Sequence, residues 1–387
     1  MSSALMREAT SVVLVGGGSI VAGKEIMMLV LARGLRDTGI RVEFITSLWG
    51  GKDEFVLQLK SDGFKFYRLR LGFISLSLRW KPFVWTLDQL RYWPSLVIGY
   101  LKAIKAAAPK AVVHTNWHHA LFLMPFLNRD RDIYWSHEIV PNQWHYRLVF
   151  RAIADRVAFV VCVSHAAARS LVTLGIIDAK IVVIHNGIPE LDAALSNANA
   201  VRTGLCVGIA GQIGVWKGHD DLVEAFRLLA QTHENLILKI VGSCEGDFAI
   251  SLRSRIADAG LTHRVVWAGF VKDRALIYGD MDICVVPSRS EDPLPTTAIE
   301  AGFCGLPVVA TETGGLPEIV EDGITGLLVP VGAPSKLAEA IDRLARSPDL
   351  RRWMGANARE RMQRLFSEQR FVQEFCNQLL GDIRLRW

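Results

Sequence analysis

Asp292 and Glu300 are two carboxylates with seven residues between them. They lie in the stretch PSRSEDPLPTTAIEAGFCGLPVVATETGGLPEIV, residues 287–320, with Glu291 beside the first. Pro295 suits the start of a helix, because its fixed φ fits the first turn and its missing N–H is not needed there. Thr296 and Thr297 then carry first-turn amides that the helix itself leaves unpaired. The run Pro307 to Ala310 reads as a buried strand. It ends in Thr311 to Gly315, where paired glycines would let backbone approach a ligand closely. In open α/β sheets ligands bind at such loops, outside the carboxyl ends of the strands.

A cation belongs to the same chemistry. GQIGVWKG, residues 211–218, follows one apolar strand and precedes a helix, which puts Lys217 near a helix N-terminus. An ammonium beside free backbone N–H groups makes a diphosphate site. The plainer alternative for Lys217 is a solvated surface residue, and Trp216 reads as packing.

Near the start, Gly16-Gly17-Gly18 follows the strand SVVLV and invites two phosphate motifs. The dinucleotide fingerprint fails, since Val21 stands at its third glycine and Thr46-Ser47 where its acid belongs. The P-loop spacing Gly18 to Gly23-Lys24 is followed by Glu25 instead of a hydroxyl, and a carboxylate aimed at phosphates is unfavourable. What is left is a glycine loop at a helix start, either meeting an anion or sugar or forming a tight turn. His114, His118, His119, His137 and His145 match no metal-ligand spacing, so no metal is expected. His137, in YWSHEIVPN, comes just after a strand, where it either contacts a sugar or catalyses, or is a satisfied structural histidine.

These residues need strands and helices to hold them. Strands are expected at Ser11–Val15, Val42–Ile45, Ala111–His114, Ile133–Trp135, Phe159–Val163 and Ile181–Ile184. The first helix, Gly23 to Leu35, shows apolar residues at helical spacing. That is a doubly wound sheet over residues 1–190. Residues 191–203, small and polar, read as a linker. A second alternation follows over 204–366, with strands at Cys206–Ala210, Leu236–Val241, Val265–Trp267, Ile283–Val286 and Val308–Ala310. Residues 367–387 read as a helix.

The 387 residues suit two α/β domains, half of them apolar and 21% charged. The net charge of +5 is too mild to imply nucleic acid. Six scattered cysteines without a CxxC pair read as small buried hydrophobes in a reducing compartment. No apolar run reaches the length of a spanning helix, so a cytoplasmic protein is expected, peripheral at most on the inner face of the cytoplasmic membrane. Lys60 to Lys110 carries ten Lys and Arg against Asp62 and Asp88, interleaved with ten Phe, Trp and Tyr. That composition suits an anionic membrane surface, or a helical subdomain with an aromatic core and a solvated basic face.

The segments together resemble the retaining glycosyltransferases of family 4, the group 1 glycosyltransferases, over nearly the whole chain. The matching pieces are GGGSIVAGKEIMMLVLARGLRDTGIRVEFIT, VSHAA, VIHNGI, GQIGVWKGHDDLVEAF, the stretch 287–320 and EDGITGLLVP. The resemblance implies the GT-B architecture, two Rossmann-like domains facing a cleft, with the last helix crossing back to the first domain. It implies a nucleotide-sugar donor held mainly by the second domain, without a metal or other cofactor. Glu300 then holds the ribose, Asp292 the donor sugar and Lys217 the diphosphate. His137 corresponds to the first domain's cleft histidine, and Gly16 to Gly18 with the GKE segment face donor phosphates or acceptor. Two departures are specific to this chain: Asp292 replaces the usual Glu, and Gln212 the usual Arg. A third, Pro295 at the usual glycine, leaves Thr296 and Thr297 as amide donors.

The expected activity is transfer of a sugar, hexosyl in type, with retention. The acceptor is a hydroxyl of a glycan or lipid-linked molecule in polysaccharide or lipopolysaccharide synthesis. A sugar-nucleotide epimerase of the same architecture and a non-catalytic scaffold of a polysaccharide-assembly complex are the alternatives.

Overall fold

The computed structural model describes residues 10–18, 21–49, 53–73, 80–190 and 204–384, with the side chains of 80–83, 85 and 380–384 left aside. The expected linker, 191–203, lies outside the described residues. The chain divides into two compact units: Met1–Gly187 with Glu368–Trp387, and Ile188–Ser367.

The N-terminal unit is a seven-stranded parallel sheet. Its strands are β1 (Ser11–Val15), β2 (Arg41–Ser47), β3 (Lys65–Leu69), β4 (Ala111–His114), β5 (Asp132–Ser136), β6 (Val160–Cys162) and β7 (Ile181–Val183), in the order β3-β2-β1-β4-β5-β6-β7. The connecting helices are α1 (Gly23–Asp37), α2 (Glu54–Ser61), α3 (Trp80–Arg91), α4 (Trp93–Ala107), α5 (Trp117–Phe122), α6 (Trp144–Ala154) and α7 (His165–Thr173). β1 is buried along its length because helices cover both faces of a parallel sheet, so its sequence is a continuous apolar run. Strand order reverses between β1 and β4; the loop that leaves β1 holds Gly16–Gly18, and α5, separated from the end of β4 by two residues, carries His118 and His119.

The C-terminal unit repeats the plan with six strands: β8 (Leu205–Ala210), β9 (Leu236–Val241), β10 (Val265–Gly269), β11 (Ile283–Val286), β12 (Val308–Thr311) and β13 (Gly326–Val329). Their order is β10-β9-β8-β11-β12-β13, so the reversal falls between β8 and β11. Its helices are α8 (His219–Leu229), α9 (Asp247–Asp258), α10 (Arg274–Tyr278), α11 (Thr296–Phe303), α12 (Leu316–Ile319), α13 (Pro334–Arg346) and α14 (Pro348–Leu365). Leu337, Ile341 and Leu344 on one stripe of α13 join Leu222 and Phe226 of α8 in a core with Val207, Leu238 and Val285.

The last helix, α15 (Glu368–Arg384), belongs to the N-terminal unit. Phe371 and Phe375 pack on Trp135 of β5, with ring centroids 5.8 and 4.8 Å away. Val372 fills the place where a side chain at Gly34 of α1 would sit.

Two strands escape the sequence reading. β3 is an edge strand whose residues are only half-buried, inside a stretch dominated by charge and aromatics. β13 is four residues long. Within Lys60–Lys110 the core reading holds for Phe64 and Tyr100, both buried, and for Trp93, whose Nε1–H donates to the Phe122 carbonyl. All six cysteines are free thiols, and Cys162, Cys206, Cys284 and Cys376 are buried. No described helix is long and apolar enough to cross a membrane.

Candidate active site

Lys217 and Asp292 leave the carboxyl ends of β8 and β11, the two strands at the reversal of strand order. One 3-10 turn, Val215–Lys217, bridges β8 to α8. The Trp216 carbonyl accepts from the Arg289 N–H at 2.9 Å and the Ser290 N–H at 3.2 Å. The Arg289 guanidinium donates twice to Asp221 of α8, at 2.8 and 2.7 Å. These bonds tie the lysine loop to the 287–292 loop through backbone and side chain. Lys217 Nζ then donates to Asp292 Oδ2 at 2.6 Å, and each side chain keeps about a quarter of its surface open (24% and 23%). The cation and the carboxylate, 75 residues apart, form one charge-assisted pair. Behind them the buried His219 sets Nδ1 3.3 Å from the Gly214 carbonyl, and burial pushes its pKa down to about 4, so its ring is neutral.

The glycines after β12 pack against the loop that carries Asp292. A Cβ at Gly314, whose φ is +55°, would lie 2.3 Å from the Asp292 carbonyl oxygen. One at Gly315 would lie 2.1 Å from the Pro293 carbonyl oxygen, and the Gly315 N–H donates to the Asp292 carbonyl at 2.8 Å. The missing Cβ at both positions makes room for this chain's own 292–293 backbone. Ligand and loop backbone read alike in a sequence, since both demand a missing Cβ.

Glu300 lies on α11 and is held by α10. Tyr278 Oη donates to Glu300 Oε2 at 2.8 Å, and Arg274 Nε sits 3.3 Å from Glu300 Oε1. Burial raises the Glu300 carboxyl above its ordinary value, while Arg274 and then Tyr278 oppose the rise. The buried Lys239 of β9 holds α10 in turn. Its Nζ donates to the Leu276 carbonyl at 2.8 Å, to the Ile277 carbonyl at 3.0 Å and to the Asp280 carboxylate. An ammonium there satisfies carbonyls that the end of a helix leaves open. Thr296 and Thr297 are half-buried at the start of α11, where no side chain caps the first turn. Pro295 stands immediately before the helix, at φ −68°. Gln212 and Glu291 are exposed.

In the N-terminal unit the glycine loop is engaged internally. The positions a Cβ would take at Gly16 and Gly17 are filled by Thr115 and the Phe55 ring. Gly18 N–H donates to Glu25 Oε1 at 3.1 Å, and Ala22 N–H to Glu25 Oε2 at 3.3 Å. The acid that spoils the P-loop pattern thus supplies its own anion to the start of α1. His137 follows β5, half-buried, its ring 4.3 Å from Trp135 and its Nε2 out of solvent without a partner among the described residues. Burial first and Lys24 second push its pKa down to about 3. His119 is buried, its pKa pushed well below its ordinary value by burial and then by Lys24, and its Nδ1 has no partner among the described residues. His118 stacks on Trp117 at 3.5 Å, His145 lies edge-on to Trp144, and His114 is fully buried at the end of β4.

Arg274, Tyr278, Arg289, Asp221 and Lys239 were not singled out by sequence. Arg274 and Tyr278 stand four apart on one helix, but nothing local marks the acid they meet 22 to 26 residues later. Their roles appear only once the sheet brings β9, α10 and α11 together.

Comparison with known proteins converges on one family. Residues 197–361 match the description "Glycosyl transferases group 1", and residues 21–190 match "Glycosyltransferase Family 4". A D-inositol 3-phosphate glycosyltransferase of Kribbella flavida is 30% identical over 292 residues, covering 70% of this chain and 66% of that protein. A capsular polysaccharide biosynthesis glycosyltransferase of Staphylococcus aureus, CapM, is 28% identical over 225 residues, 56% of this chain and 57% of CapM. The chain spans about half the length of several curated relatives it matches (47% to 57%). Among solved structures, Anabaena Alr3699/HepE in complex with UDP superposes with a TM-score of 0.78 at 20% identity, over 96% of this chain and all of that one. At that identity the likeness speaks for the GT-B fold alone. Two Rossmann-like units, each matched by a glycosyltransferase family of its own description, leave a single assignment: the chain belongs to the group 1 glycosyltransferases.

Proposed function

We propose that the protein transfers a sugar, hexosyl in type, from a nucleotide-diphosphate sugar to a hydroxyl of a glycan or lipid-linked acceptor. The setting we assign is assembly of cell-surface polysaccharide or lipopolysaccharide, with the anomeric configuration retained and no metal required. The observation that carries this reading is the Lys217–Asp292 pair at the β8/β11 reversal, a cation beside a carboxylate. We assign the cation to the leaving diphosphate and the carboxylate to a sugar hydroxyl. The name of CapM and the UDP held by HepE support the setting and the class of donor.

In this mechanism the bond from the anomeric carbon to the β-phosphate oxygen breaks as the acceptor oxygen attacks from the same face. The acceptor proton passes to an oxygen of the departing phosphate. Negative charge grows on that phosphate, so Lys217 and the first-turn amides of Thr296 and Thr297 stabilise the transition state more than the ground state. We assign Glu300, held by Tyr278 and Arg274, to the ribose hydroxyls. His137 is assigned to a sugar hydroxyl, as the neutral imidazole that its lowered pKa makes it at neutral pH.

The test is calorimetry against a panel of nucleotide sugars with UDP-sugars first, then turnover with Lys217→Ala. Loss of one such donor raises the barrier by about 3–4 kcal/mol, a fall in kcat of roughly a hundredfold or more. Near-normal turnover of the variant, or no nucleotide bound by the native protein, removes the assignment. Proton NMR of the product's anomeric centre decides retention.

A further inference from the structure

Two consecutive helices of the N-terminal unit carry an apolar surface that the catalytic reading does not use. On α4, Leu96, Tyr100, Ala103 and Ala107 recur at helical spacing and are buried in one cluster with Val13, Val15 and Ile45 of the sheet. The opposite stripe holds Ile98, Leu101 and Lys105, all exposed. On α3, Val84, Leu87 and Leu90 are exposed as well. These five aliphatic side chains keep between 38% and 55% of their surface open. A single exposed leucine needs no explanation, but five such side chains on two consecutive helices make this the candidate surface.

The charges around them are of one sign. From residue 84 to 107 the cations are Arg91, Lys102 and Lys105, and the one acid is Asp88. At the junction of the helices the Arg70 guanidinium lies 3.8 Å and that of Arg91 5.8 Å from the centre of the Tyr92 ring. Two guanidinium groups and an aromatic ring therefore stand at the junction of the two helices. Basic side chains bordering exposed aliphatic ones match a surface that is anionic outside and hydrocarbon beneath. A second copy of this chain fits worse, since a two-fold interface sets the same patch against itself and brings like charges together.

We infer that the α3–α4 face of the N-terminal unit docks on an anionic lipid surface, with Arg70, Arg91, Lys102 and Lys105 at the phosphate level and Leu87, Leu90, Ile98 and Leu101 below it. No described helix crosses the bilayer in this arrangement. Attachment is reversible and weakens with salt, because charges farther apart than about 10 Å are screened at 0.1 M. The inference stands apart from the donor chemistry: vesicle flotation reads one and nucleotide binding the other.

The experiment uses the full chain with vesicles of phosphatidylcholine alone and of phosphatidylcholine mixed with phosphatidylglycerol. The native protein floats with the mixed vesicles at low salt and not with the neutral ones. Each cation near the surface is worth about fivefold in partitioning, so R91Q/K102Q/K105Q lowers it about a hundredfold. I98S/L101S, which leaves the charge unchanged, lowers it about tenfold or more. Both variants keep native nucleotide affinity and melting temperature, which separates lost docking from lost folding. Flotation that is absent, equal on neutral vesicles or unchanged in both variants overturns the inference. So does a native dimer that I98S/L101S dissociates, which would make a second copy the occupant. Flotation without any nucleotide binding would instead refute the proposed donor chemistry and leave the docking surface standing.

Discussion

Replacing Asp292 by Asn tests the Lys217–Asp292 pair directly. Asn keeps the size of the side chain and a carbonyl oxygen for the Lys217 hydrogen bond, but it removes the negative charge. In the free protein that charge holds Lys217 Nζ at 2.6 Å. A diphosphate must draw the same ammonium away or share it, so part of the binding energy goes into loosening the pair. Fully exposed pairs are worth ~0.2–1 kcal/mol, and hydrogen bonds to charged groups in protein surroundings ~1.5–3 kcal/mol. With both side chains about three-quarters covered (24% and 23% open), a value near 1 kcal/mol fits between these ranges. Asp292→Asn should therefore bind UDP about fivefold more tightly at low salt, with the gain shrinking as salt rises. Turnover should fall at the same time, because the charge that would read the sugar is gone. Calorimetry with UDP gives the affinity, and single-turnover kinetics the chemical step. Repeating the substitution in a Lys217→Ala background completes a cycle, in which most of the gain should vanish because no cation is left to release. UDP binding that is unchanged or weaker in Asp292→Asn, with the fold intact, would refute the claim that Asp292 competes with the diphosphate for Lys217.

Two further perturbations probe what stands behind the site. Lys239→Met leaves the Leu276 and Ile277 carbonyls without their buried donor and frees α10, so urea unfolding should show a loss of about 3 kcal/mol. UDP affinity should fall with it, since Arg274 and Tyr278 of α10 hold Glu300; an unchanged midpoint and affinity would show that α10 is fixed by other means. The pH dependence of stability follows from histidines buried neutral: His114 and His219 are pushed to about 4 and His137 to about 3 by burial. The unfolded chain takes up protons near pH 6.5 and the folded chain does not, so this stability is complete above 6.5 and drains as pH falls towards 4. Each such histidine contributes a slope of about 1.4 kcal/mol per pH unit in that window. Glu138 and Glu300, raised by burial, act in the opposite sense, so the readout is a difference between proteins. Urea titrations at several pH values should show a shallower slope in His114→Leu than in the native protein, and equal slopes would mean that His114 is not held neutral.

How far the sequence reaches depends on the range of the cause. β1, β4, β8, β9 and β11 are legible because a parallel strand covered on both faces must be apolar along its length, which a local window records. Lys217, Asp292 and Glu300 are each legible for a related reason, since every one stands at a fixed offset from a strand end or helix start. What no window records is contact across the sheet. The 2.6 Å bond between Lys217 and Asp292, the hold of Tyr278 on Glu300 and the reach of Lys239 to α10 all join residues far apart in the chain. The glycines after β12 show the limit most clearly. Gly314 and Gly315 demand a close neighbour, and only the fold says that the neighbour is the backbone of Asp292 and Pro293. That contact also bears on the short arm of Asp292. The position of its carboxylate depends closely on its backbone, and that backbone is what the Gly315 N–H and the missing Cβ of Gly314 define. A Glu placed at 292 would carry its charge about 1.5 Å farther out, away from the point where Lys217 now meets it.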